Sequence, residues 1–195
     1  MPVTAHANSI TYIPNLDATV TQPGSYSFNL SGPSAQDIVL TASAGISGSD
    51  PTNDITLSTN NGASVQSLFG DPVPLLAGAV INPSTGKWTS GSSISMGSYD
   101  TVTDTSVGGP WSPGTDAFLG FSFQGTTGPP AGWAEISTDS SDSSFEVLSY
   151  AYQDQANTSI LAGQTVATPE PSTIALLALG ATGLMALRRR RAVTQ

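Results

Sequence analysis

"SFEVLSYAY", residues 144–152, alternates with a period of two and shows no helical period. Read as a strand, it sets Phe145, Val147 and Ala151 on one side and Leu148, Tyr150 and Tyr152 on the other. Both sides are apolar or aromatic, which suits a strand covered on both faces. Two stretches upstream carry the same signal. "AFLGFSF", residues 117–123, puts Leu119, Phe121 and Phe123 on one face. "GWAEIST", residues 132–138, puts Ala134 and Ile136 opposite Trp133 and Glu135.

Turn signals recur along the rest of the body every 8 to 12 residues, among them Pro23-Gly24, Gly32-Pro33, Asn61-Gly62, Asn82-Pro83, Gly108-Gly109-Pro110 and Gly128-Pro129-Pro130. Between them lie short β-branched and aromatic runs. The expected strands are 9–13, 25–30, 38–42, 54–58, 64–69, 79–82, 92–96, 118–123, 133–138, 145–152 and 159–161. Many short strands with frequent turns predict an all-β fold, a β-sandwich or jelly-roll-like ectodomain. A single C-terminal hydrophobic helix is expected to follow it.

Composition narrows the function classes. Charged residues are 10% of 195, far below the roughly 25% of an ordinary soluble domain. Before the tail, 13 carboxylates face one cation, Lys87, for a balance of −12. Such a surface has no electrostatic footprint for nucleic acid. No cysteine is present, so neither disulfides nor thiolate chemistry operate. The one histidine, His6, lies in the first seven residues. A Ser-His-Asp triad would depend on it, and a histidine-rich zinc site has no ligands.

The two ends read as export signals. Ala5-His6-Ala7 has the small-residue pattern that closes a secretory signal peptide. Residues 1–7 therefore read as a signal-peptide remnant, with a plain polar terminus as the alternative. At the other end, Ile174 to Leu187 is 14 residues without a charge. As a helix it would span about 21 Å against a hydrocarbon core of about 30 Å. It is apolar all round and carries Gly180 and Gly183, so a surface helix is a poor alternative. Arg188, Arg189, Arg190 and Arg191 follow as a basic stop and fit a cytoplasmic C-terminus.

Pro169, Glu170, Pro171 and Ser172, the apolar run and the arginine cluster together resemble the PEP-CTERM sorting signal. The resemblance implies export in a Gram-negative bacterium and recognition by an exosortase, a membrane-embedded transpeptidase-like enzyme. It also implies processing near Pro-Glu-Pro, an inner-membrane-anchored intermediate, and delivery to the cell surface or matrix. "FLGFSFQ", "GWAEIST", "VLSYAYQ" and "ILAG" further resemble the end of a recurrent PEP-CTERM ectodomain, although Gln153 stands where family members often carry Glu. The expected organisation is an ectodomain over 8–164, a linker with Pro-Glu-Pro over 165–172, and a transmembrane helix with basic tail over 173–195.

Candidate ligand residues are few. Calcium needs several oxygens from one turn. Asp139, Asp142 and Glu146 in "STDSSDSSFE" offer them, as do Asp50, Asn53 and Asp54, or Asp100 and Asp104; solvated hairpin turns are the plainer reading. Trp88, Tyr99 and Trp111 lie in or beside predicted loops and are the aromatics for a glycan platform, with core packing as the plainer reading. Glu135 and Glu146 are the glutamates of the body, but they lack the i, i+2 spacing of jelly-roll glucanases. The expectation is an exported, non-catalytic surface or matrix protein without a cofactor. The alternative is a module binding extracellular polysaccharide, with or without calcium. Partners are then an exosortase, the membrane through residues 174–187 and such a polysaccharide.

Overall fold

The computed structural model describes residues 9–167. The Pro-Glu-Pro motif, the hydrophobic helix, the basic stop and the signal remnant lie outside them. The described chain is all-β. Its strands are β1 (Ile10–Ile13), β2 (Ala18–Thr21), β3 (Gly24–Phe28), β4 (Ile38–Ser47), β5 (Asp50–Thr59), β6 (Ser64–Leu68), β7 (Asp71–Pro72) and β8 (Pro74–Leu75). They continue with β9 (Val80–Ile81), β10 (Trp88–Thr89), β11 (Ile94–Asp100), β12 (Thr105–Gly108), β13 (Asp116–Ser122), β14 (Ala131–Thr138), β15 (Ser144–Gln153) and β16 (Ile160–Leu161).

Three sheets form. The large one runs β1-β15-β14-β13-β6-β10, with β2 also on β15, β7 on β6 and β8 on β13. The second runs β12-β11-β5-β4-β3. β9 and β16 make a separate ribbon. All strand pairs are antiparallel, as the short turns require.

The two larger sheets close a β-sandwich over one core. Phe28, Ile38, Leu40, Ile55, Leu57 and Met96 come from the second sheet. Leu119, Phe121, Ile136, Phe145 and Val147 come from the large one. A smaller core lies on the other face of the large sheet, where Trp133, Ala131 and Ala151 meet Ile81, Ile160 and Ala162 of the ribbon region. The large sheet is therefore covered on both faces, as the apolar character of residues 144–152 predicts.

The facing within that strand differs from the expected one. Glu135 pairs with Ser149, but the next residue, Ile136, pairs with Val147. Leu148 is thus an extra residue on β15, a β-bulge that reverses the alternation. Tyr150 and Tyr152 consequently pack on the same core as Phe145 and Val147, while Ala151 joins the smaller core. A strict period of two, which had placed Tyr150 and Tyr152 opposite Phe145, fails at this one position.

Gly132 is fixed by its cross-strand partner. It pairs with Phe121, and a Cβ at residue 132 would fall on the Phe121 ring. Gly132→Ala is expected to cost roughly 1–3 kcal/mol, the usual range for overpacking a filled core. Urea unfolding measures it; an unchanged midpoint would show that Phe121 can move aside.

Candidate functional site

The acidic hairpin between β14 and β15 is the first candidate. Asp139 closes it. Its carboxylate accepts from the Ser143 amide at 2.8 Å and the Ser143 hydroxyl at 2.5 Å, with Ser141 adding a hydroxyl contact at 3.2 Å. Burial pushes the Asp139 carboxyl up, but hydrogen bonds from Ser143, Ser144 and Ser141 outweigh it and hold it below the usual range. The same hairpin is stitched to the second sheet by Asn53, whose Nδ2 donates to the Ser141 carbonyl at 2.9 Å.

Asp142 behaves in the opposite way. It adopts φ 50° and is 1% exposed. Neither carboxylate oxygen has a partner. Its Oδ2 and the Trp111 carbonyl lie 2.8 and 2.9 Å from where a side chain on Gly97 would begin, so glycine is required there. Burial, then the charges of Asp139 and Asp54, push the Asp142 carboxyl up to about 7. Glu146 is directed elsewhere. It pairs across the strands with Ser137 and Thr19 and borders a shallow 140 Å³ hollow with Asp139. The structure does not gather Asp139, Asp142 and Glu146 into one set. Among the described residues, no three acidic or histidine side chains converge in a way that could hold a metal ion.

The other acidic turns use their carboxylates locally. Asp54 accepts from the Ser98 hydroxyl at 2.5 Å. Asp100 accepts from the amides of Val102 and Thr103 at 2.8 and 3.0 Å, and these bonds hold its carboxyl low. Asp37 receives the amides of Leu30 and Ser31 at 2.7 Å each. Burial opposes, yet the bonds from Ser31, Asn61 and Leu30 keep Asp37 low as well. Glu135 accepts from Ser149 at 2.9 Å.

The three expected glycan aromatics are not one platform. Trp111 is fully buried, and its indole N–H donates to the Pro72 carbonyl at 3.0 Å. It is a core residue, because the segment after β12 folds inward between the sheets. Trp88 is half-buried beside the smaller core, with a buried indole N–H that finds no partner. Tyr99 is half-buried and donates to the Asp104 carboxylate, which raises its phenol pKa.

A cleft that sequence reasoning missed lies at one end of the large sheet. Phe123, Thr126, Thr127, Tyr152 and Asp154 are among its lining residues, and it measures about 180 Å³. Tyr152 and Phe123 meet edge to face at 5.4 Å. Asp154 accepts from the hydroxyls of Ser9 at 2.5 Å and Thr11 at 2.8 Å. The available signal was Gly125-Thr126-Thr127-Gly128 beside the Tyr-Ala-Tyr strand, but only the fold brings the two together.

The chain leaves the body along a fixed path. β16 pairs with β9, and the Trp133 indole N–H donates to the Gln164 carbonyl at 3.0 Å. The described residues are thus an all-β body whose last segment, to residue 167, is held against the smaller core. A family model described as the PEP-CTERM protein-sorting motif matches residues 167–191, so the chain carries that motif after its β body. The motif marks an exported protein handled at the membrane and processed by an exosortase. No curated protein and no solved structure matches the chain.

Proposed function

We propose that the body is a non-catalytic surface or matrix protein of a Gram-negative cell, held at the inner membrane by residues 174–187 until the tail is processed. The observation that supports this most is the use of the acidic side chains. Asp37, Asp100 and Asp139 close turns with backbone amides, a structural use of carboxylates. The tail supplies the address and the body supplies the delivered surface.

Glu170→Ala, and separately removal of Arg188–Arg191, test the sorting half. The expected result is an unprocessed chain of full mass retained in the membrane fraction, seen by mass spectrometry and fractionation. Unchanged mass and location in both variants would overturn it.

A second reading, a polysaccharide-binding module, is favoured by the 180 Å³ cleft. Tyr152 and Phe123 offer an aromatic wall, and Asp154 keeps lone pairs free for sugar hydroxyls. Calorimetric titration of the full chain with the producer's own exopolysaccharide, with and without chelator, separates the two readings. Binding heat that Tyr152→Ala removes supports the module; no heat and no shift in melting temperature rejects it. Heat that chelator abolishes adds calcium as its cofactor.

A further inference from the structure

We infer that the outward face of the β9/β16 ribbon is a membrane-facing surface that rests on the bilayer only while the tail is embedded. The inference rests on the reading that residues 174–187 enter the bilayer. Val80 and Leu161 are direct cross-strand partners, 58% and 40% exposed. Their neighbours Ile81 and Ile160 point the other way, into the smaller core. Leu76 joins them through Ala79, whose amide donates to the Leu76 carbonyl and whose own carbonyl accepts from Ala162. Val166 joins through Gln164, which bonds the Leu161 amide at 3.0 Å and the Val166 carbonyl at 2.9 Å. Leu76 and Val166 are 81% and 73% exposed. The result is an aliphatic patch at the point where the chain leaves the body.

Chain length supplies the occupant. The sorting motif begins at residue 167, and the uncharged run begins at Ile174. Seven extended residues reach at most about 25 Å. With the run in the bilayer, the exit face cannot be far from the lipid surface. Lys87 is the sole cation among the described residues, so attraction to anionic headgroups is absent and the contact is apolar. Four aliphatic side chains bind a free bilayer weakly, as single shallow anchors do. A tether of this length raises the effective concentration to the millimolar range, which makes the weak contact persist. Removing the tail removes the tether, and the body lets go.

The absence of native cysteine permits a direct test. Single cysteines are placed at Val80 or Leu161, and as controls at Ile46 or Val102, which are exposed on the second sheet and in its β11–β12 turn. The full chain, labelled with a fluorophore, is reconstituted into phosphatidylethanolamine–phosphatidylcholine vesicles. Flotation reports insertion, and iodide quenching reports shielding. The expected result is quenching at 80 and 161 several-fold below that at 46 and 102. Proteolytic removal of the tail should bring all four to one level. A chain that does not float overturns the insertion reading, and this inference with it. A chain that floats with 80 and 161 fully quenched overturns the inference alone. Shielding lost on dilution below one chain per vesicle assigns the patch to a second copy, which also overturns it.

Discussion

Asp142→Asn is expected to make the protein more stable at pH 8 and to leave it little changed near pH 4. The carboxyl is buried, has no partner on either oxygen, and is pushed up to about 7. In an unfolded chain an aspartate titrates near 3.9. The folded state therefore binds this proton more tightly. Its stabilising contribution is complete below pH 4 and is lost as pH rises through 7, after which the loss is constant. The gap between about 3.9 unfolded and about 7 folded corresponds to at most about 4 kcal/mol between those limits. Asp37, Asp100 and Asp139 work in the other direction. Their carboxyls are held low, so their contribution is present above about pH 4 and fades as pH falls below it. Maximum stability should therefore lie on the acid side of neutrality. Urea unfolding of both proteins from pH 3 to 9 checks this. An identical slope between pH 4 and 7 in wild type and variant would show that Asp142 does not titrate there.

Trp111→Ala should cost about 3–5 kcal/mol, the range for truncating a large buried aromatic. The ring is fully enclosed between the sheets, and its N–H satisfies the Pro72 carbonyl. Removing it opens a cavity and strands that carbonyl at once. For a domain of this size the melting temperature should fall by roughly 10 °C. Trp111→Phe keeps most of the volume and should cost less, which separates the hydrogen bond from the cavity. The variant also speaks to glycan recognition. A surface platform would lose affinity at unchanged stability, whereas a core residue loses stability first. Unchanged melting temperature in Trp111→Ala would restore the platform.

The strands legible in the sequence were those with their own signal. Residues 133–138 and 145–152 alternate strongly and lie inside β14 and β15, and 118–123 overlaps β13 but for Phe123, one residue past its end. β4 and β5 run well past their expected ends, through Ser47 and from Asp50, because their polar ends are defined by pairing with each other. β2, β7, β8, β10 and β12 were not read at all. Ala18–Thr21 contains no bulky pair, and two-residue strands such as Pro74–Leu75 exist only through a partner, here Phe118 and Leu119. The bulge at Leu148 is of the same kind, since an extra residue has meaning only against the register of β14. The candidate site was harder still. Trp111 sits between Gly-Gly-Pro and Ser-Pro, which reads as an exposed loop, and its burial comes from chain distant in sequence at Pro72. Asp142 was visible as an acid in a turn. Its isolation from any donor depends on Gly97 and the Trp111 carbonyl, which no local pattern announces.

The pairing of β1 and β2 with β15 has a consequence for the order of events during export. Ile10 is the cross-strand partner of Gln153, and Ala18 of Val147. On the far side of the membrane β1 and β2 have no docking edge until well over a hundred further residues have followed. Contacts of such sequence separation form late and slowly. The large sheet thus closes only once β15 has crossed, with the sorting motif following it. The second sheet, whose strands all lie between Gly24 and Gly108, has its partners long before that, so the two layers of the sandwich mature in sequence and the edge strands of the large sheet are the last to be secured.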